Sequence, residues 1–160
     1  MAGYAYLESQ TYVKDAVDDP RDRIRVEVGD SKQPVFYPQV KLLRWDNEAN
    51  FSVRLIDDEL QTQAQVACDD AAVTWKKQRR EADFYELAPC DGLAQGGYEF
   101  EIRLKEKPDT NRVQFTIRSK GLDFYYQPEL AQQEIDRGCA RAENVTGSYA
   151  AYYRDCPANR

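Results

Sequence analysis

The 160-residue sequence contains no histidine. That removes the usual general base at neutral pH, the commonest metal-ligating ring and every triad built on an imidazole. Long apolar runs are also missing. None comes near the ~20 residues of a membrane span. Residues 1–10 lack a basic start and an apolar centre, so a secretory signal is not expected. Cysteine is sparse: Cys68, Cys90, Cys139 and Cys156 lie far apart, with no CxxC. Zinc sites usually show close pairs, so a metal centre is not expected. Four cysteines allow three full pairings, which spacing alone does not choose between. Without an export signal, free thiols are the default expectation. Positive charge is in deficit, 22 Lys and Arg against 28 Asp and Glu, for a net charge of -6. Such a field repels nucleic acid and anionic membranes, so neither is expected as a direct partner. No repeat and no low-complexity tract is present.

What remains is alternation. Tyr98, Phe100, Ile102 and Leu104 point one way, while Glu99, Glu101, Arg103 and Lys105 point the other. Val113, Phe115 and Ile117 then share a face opposite Arg112, Gln114, Thr116 and Arg118. Side chains alternate across a strand, so each run predicts a half-buried strand. Lys107-Pro108-Asp109-Thr110-Asn111 lies between them and has turn chemistry. The expectation is one antiparallel hairpin over residues 98–119, with an oily face that a second layer must cover.

The same reading applied along the chain gives further strands. Ile24, Val26 and Val28 alternate, and 35–38 begins an extended piece that continues through 40–45. Phe51, Val53 and Leu55 are expected in the core. Residues 63–68, 72–77 and 83–87 follow, then 122–126 and a last strand within 145–153. A polar crossing is expected near 57–62. One helix is expected over 128–137: Pro128 suits a first turn, Leu130 and Ile135 can bury, and Gly138 stops it. About nine short strands at intervals near ten residues point to an all-β, mainly antiparallel sandwich. A chain of this length suits one domain, which buries roughly 70% of its unfolded surface. Residues 1–22 read as an N-terminal arm or first edge strand, 23–153 as the sandwich and 154–160 as a tail.

Several groups carry candidate chemistry. Asp46-Asn47-Glu48-Ala49-Asn50 gathers oxygen atoms, to which Asp57, Asp58, Asp69 and Asp70 could add. The spacing is not that of a calcium loop, and a solvated turn accounts for it. Acidic residues abound without the pairing that glycoside hydrolysis needs. Lys76, Lys77, Arg79 and Arg80 flank Trp75, but Glu81 and Asp83 sit beside them, which fits a charged strand end. Asn144-Val145-Thr146 matches a glycan acceptor triplet that has no role without export. No catalytic, metal-binding or cofactor-binding residue is assigned, and an enzyme is not expected. Tyrosines stand out instead: Tyr4, Tyr6 and Tyr12 near the start, then Tyr125, Tyr126, Tyr152 and Tyr153. A tyrosine combines apolar area with a polar tip and is common at interfaces and on sugar-binding platforms. These seven are the candidate contact residues.

A set of segments has a further meaning when taken in order. They are Phe36-Tyr37-Pro38, Leu43-Arg44-Trp45-Asp46-Asn47-Glu48-Ala49-Asn50-Phe51-Ser52-Val53, Trp75-Lys76-Lys77, Phe84-Tyr85, Lys107-Pro108-Asp109-Thr110-Asn111, Lys120-Gly121-Leu122-Asp123-Phe124-Tyr125-Tyr126-Gln127-Pro128 and Arg141 to Ala150. The series resembles an uncharacterised family of tailed-phage and metagenomic proteins associated with virion or surface structural parts. The resemblance covers roughly residues 23–153. It implies a virion location, with synthesis in the host cytoplasm, and other virion proteins as partners in an oligomer or lattice. The role implied is a capsid decoration or cement subunit, or a tail-associated piece. It implies no catalytic residue. The tyrosine groups leave a carbohydrate- or cell-surface-binding module as the alternative.

Overall fold

A computed structural model describes residues 3–7, 11–16, 24–56, 64–69, 71–90, 96–141 and 145–154. The polar crossing at 57–62, Asp57, Asp58, Asp70, Asn144, Cys156 and the tail from 155 lie outside the described residues.

The fold is all-β, and every strand pair among the described residues is antiparallel. The first sheet contains β1 (Ala5–Leu7), β2 (Thr11–Ala16), β3 (Ile24–Val28), β4 (Gln39–Arg44) and β5 (Ala49–Leu55) in chain order. The second contains β6 (Gln65–Cys68), β7 (Ala72–Lys76), β8 (Arg80–Leu87) and β9 (Gly97–Leu104), also in chain order. The chain then returns to the first sheet, where β10 (Phe115–Lys120) joins the free side of β5. β11 (Leu122–Tyr126) and β12 (Tyr149–Tyr153) form a separate two-stranded ribbon, with the short helix α1 (Gln132–Asp136) between them.

Alternation explains the core. Val26 and Val28 of β3 and Leu55 of β5 turn inward to meet Val73, Trp75, Ala82 and Phe84 of β7 and β8. Cross-strand register sets large against small: Trp75 faces Ala82, and Val73 faces Phe84. Phe84 in turn faces Phe100, with ring centroids 4.3 Å apart. Trp75 and Phe84 are almost fully buried, and a burial of that kind stabilises by about 2–3 kcal/mol per side chain. The outer face of the second sheet is charged. Arg103 pairs with Asp83 and with Glu81 at 2.7 Å, and Lys105 reaches Glu81 at 3.5 Å.

Several sequence expectations need correction. Residues 98–119 do not form a hairpin. β9 pairs with β8, whereas β10 pairs with β5 in the other sheet, so residues 105–114 cross between layers. Alternation identifies strands but does not name their partners. Here Phe100 and Phe115 meet face to edge across the layers, 5.8 Å apart, instead of side by side in one sheet. The second arm is regular only from Phe115, and Leu104, Val113, Phe115 and Ile117 stay exposed. Among the described residues there are twelve strands, where about nine are expected. The helix covers Gln132–Asp136 only, and Ile135 is exposed. Glu134 accepts a hydrogen bond from the Ala131 N–H at 2.8 Å, which closes its first turn. Residues 35–38 bend before β4 begins, with the Pro38 carbonyl accepting from the Leu55 N–H at 2.9 Å. Leu55 is fully buried as expected, but Phe51 and Val53 are only half-buried. The last strand begins at Tyr149, after a turn at 146–148.

Candidate functional site

The site is built where the β4–β5 turn meets the ribbon. Trp45, Asp46 and Asn47 have φ of 48°, 49° and 69°. Three consecutive side-chain-bearing residues in the left-handed region are strained, since each costs roughly 1 kcal/mol or more. Contacts hold them there. The Trp45 ring packs against Tyr153 at 4.8 Å, and the Arg44 guanidinium lies 5.1 Å from the Trp45 ring centre. Tyr153 donates its hydroxyl to Glu48 at 3.1 Å, and the Lys120 ammonium donates to the Asn47 carbonyl at 2.9 Å. Asn50 donates to the Asn47 side-chain oxygen at 2.7 Å. Protein donors thus engage these oxygens of the candidate cation loop.

β10 runs past this turn and bends at Gly121, where φ is +67°. A Cβ there would lie 2.6 Å from the Glu48 carbonyl oxygen, so only glycine fits. The bend swings β11 and β12 over the inner face of the first sheet. Phe124 meets Phe51 at 5.6 Å. Leu122, Phe124 and Tyr153 on one side and Ile24, Leu42 and Phe51 on the other then wall a groove of about 980 Å³. Ile117 lines one part of it, and Glu86, Gly97 and Tyr98 of the second sheet line another. The groove is apolar and aromatic, with Glu86 as an acidic group at its margin.

Behind Glu86 lies a polar cluster between the layers. Lys14 of β2 is buried and reaches Glu86 of β8 at 2.5 Å. The Lys14 ammonium also sits 5.5 Å from the Tyr4 ring centre. Burial first, and then the neighbouring Tyr98 and Glu86, push the Tyr4 hydroxyl up to about 12. Burial followed by Glu86 does the same for Tyr98, also to about 12. Both phenols therefore stay neutral and keep their protons over the physiological range.

The seven tyrosines separate into two groups. Tyr4 and Tyr12 pack on the core between the layers, and Tyr6 stacks edge-on to Tyr12 at 5.5 Å with its own ring exposed. In the ribbon, Tyr125 and Tyr152 meet at 5.6 Å on one face. Tyr126 and Tyr149 meet at 5.3 Å on the other, which is also the face that carries Phe124 and Tyr153. The ribbon is therefore aromatic on both faces. Tyr125, Tyr126, Tyr149 and Tyr152 are each more than half exposed, at 56, 54, 66 and 54%. Tyr149, conspicuous in the sequence with Tyr152 and Tyr153 but not among the seven contact candidates, belongs with them.

The other candidates are dispersed. In the basic stretch, Lys76 pairs with Glu81 at 3.6 Å, Arg79 pairs with Glu106 at 2.9 Å, and Lys77 is buried against Trp75. Asp69 accepts from the Ala71 and Ala72 N–H groups at 2.8 and 2.7 Å, and those bonds lower its pKa. No disulfide joins Cys68, Cys90 and Cys139 among the described residues. No described helix is long and apolar enough to cross a membrane. Sequence reasoning missed the groove and the Lys14–Glu86 pair. Gly121, a glycine between the expected strands at 112–118 and 122–126, was the one signal of the bend that makes the groove.

Compared with known proteins, the chain matches no family model, no curated protein and no solved structure.

Proposed function

We propose that this chain is a structural subunit of a virion, a capsid decoration or tail-associated piece that works by contact. The observation that carries the reading is the ribbon. Tyr125 and Tyr152 stand paired on the face turned away from the groove, held by backbone pairing and left uncovered. Tyrosine pairs of this kind are rigid, lose little entropy on docking and rank among the residues that dominate interfaces. The family resemblance supplies the virion setting.

Mass spectrometry of purified virions tests this directly, with the chain expected among their proteins and its absence overturning the reading. A Tyr125→Ala, Tyr152→Ala variant should fold with an unchanged melting temperature yet fail to incorporate. The groove favours one second reading, a module for a carbohydrate or cell surface, because aromatic walls suit the apolar faces of sugar rings. Binding on a glycan array that a Phe124→Ala, Tyr149→Ala variant of the groove wall abolishes would support it; an array without signal would dismiss it.

A further inference from the structure

Cross-strand register gives the groove a direction and two unlike ends. Arg44 stands opposite Ile24 on one side and Ala49 on the other, at the β4–β5 turn. Ile24 packs on the core, so Arg44 shares the inward face and lines the groove. Leu42 comes next, opposite Phe51, and Ile117 stands opposite Val53. Ala49 and Val53 lie on one strand, four residues apart, which spans about 13 Å. The floor therefore starts at a guanidinium and runs over aliphatic and aromatic side chains to Ile117. Leu122 and Phe124 of the ribbon wall it from above. Six strands lie opposite four, and the ribbon covers only part of the difference, since Ile117 is still 62% exposed.

We propose that the groove is a binding site for one single-chain carboxylate amphiphile, a fatty acid of medium length. Arg44 takes the carboxylate. The alkyl chain lies along Leu42 and Phe51 and ends against Ile117, a run that suits a tail of dodecanoyl length. This site does not depend on a virion role. At about 980 Å³ the groove has the size of a small-molecule site, a class that spans roughly 300–1,000 Å³.

Charge selects the head group. Arg44 and Glu86 are the charged lining residues among those described. Glu86 is matched by Lys14 at 2.5 Å, so the charge that the groove itself presents is the cation. A guanidinium carries five donors in a fork, so Arg44 can take a carboxylate edge-on and keep its other contacts. Trp45, whose ring centre lies 5.1 Å from that guanidinium, adds an aromatic face beside the head group. The lining also argues for a hydrocarbon tail. Asn50 already donates to Asn47 at 2.7 Å, so the floor offers few partners to hydroxyl groups. A polar group left without a partner there costs binding, whereas an alkyl chain needs none.

Titration calorimetry on the purified full chain, with each probe below its micelle concentration, tests the proposal. Dodecanoate should bind saturably, one molecule per chain. Affinity should rise about tenfold for each two carbons added from octanoate through decanoate to dodecanoate. Dodecyl trimethylammonium and dodecyl maltoside share the tail but not the anionic head, and each should bind at least about tenfold more weakly. Arg44→Gln should remove that preference, and Ile117→Asp, at an exposed position, should weaken all three. No saturable binding of dodecanoate to the wild type would overturn the proposal. So would equal affinity for the three head groups, or an affinity indifferent to chain length; these comparisons need no variant to fold. A chain found in virions that ignores dodecanoate would sink this site and leave the structural role intact; one absent from virions that binds it would do the opposite.

Discussion

Lys14 of β2 and Glu86 of β8 form an ion pair at 2.5 Å that joins the two sheets across the interior. Lys14 is 6% exposed and Glu86 31%, so the ammonium has almost no access to water if its partner is removed. Taking one member from a buried pair leaves an uncompensated charge, whereas replacing both with apolar groups is often neutral. Glu86→Gln should therefore destabilise the fold by about 2 kcal/mol, less than a fully buried pair because Glu86 keeps some solvent. Lys14→Met with Glu86→Leu should recover most of that loss. Urea unfolding of Lys14→Met, Glu86→Leu and the double variant measures the coupling. Strictly additive losses would show that the pair does not act as a unit.

The same cluster makes stability fall in alkali. Tyr4 and Tyr98 both have a folded-state pKa raised to about 12, with burial as the main cause. An unfolded tyrosine titrates near 10. The folded state therefore holds these protons more tightly, and their contribution is complete below about pH 10 and is lost as pH rises toward 12. Thermal unfolding should be flat with respect to these groups near neutrality and decline steeply over that window. Tyr4→Phe and Tyr98→Phe should each reduce the decline. A profile as steep in the double Phe variant as in the wild type would place the alkaline sensitivity elsewhere.

These two groups also mark the limit of what the sequence makes legible. The strands β3, β7, β8 and β9 could be placed from alternation because their apolar residues do recur every second position. Lys14 broke that pattern, since a cation on the same face as Tyr12 reads as outward until its acidic partner 72 positions away is known. The 98–119 region failed for a related reason. Proline and asparagine in its loop predict a reversal, and reversal between layers has the same local chemistry as reversal within one sheet. Likewise Tyr125 and Tyr152 could be named as aromatic, but their pairing on one face follows from a register set by residues 127–148, which have no strong period.

The centre of the sandwich should be the least forgiving region. Phe84 is 1% exposed, lies opposite Val73 and stacks on Phe100. Phe84→Ala removes a ring that the second sheet shares with the first and leaves a cavity between them. The expected loss is about 3–5 kcal/mol, enough to unfold a domain of ordinary stability near 37 °C. Phe84→Leu should cost less, about 1–2 kcal/mol, because most of the volume remains. Denaturant midpoints with unchanged slopes would bear this out. Equal losses for Ala and Leu would mean that ring shape, not volume, is what the site requires.

Gly121 controls whether the ribbon reaches the sheet at all. It takes φ of +67° and passes so close to the β4–β5 turn that an added Cβ would sit 2.6 Å from the Glu48 oxygen. Gly121→Ala therefore incurs a left-handed penalty of about 1–2 kcal/mol, and the clash with backbone forces β11 away from the turn. That movement would pull Tyr153 from Trp45 and from Glu48, the contacts that hold the left-handed turn. The core around Trp75 lies on the other sheet and should survive. Fluorescence separates the two events. In a Trp75→Phe background Trp45 is the sole reporter, and Gly121→Ala should shift its emission toward that of a solvated indole well before global unfolding. With Trp75 as the reporter, in a Trp45→Phe background, the emission should stay that of a buried ring. If Trp45 kept its wild-type emission in Gly121→Ala, the ribbon would have another hinge, and the groove would not depend on this glycine.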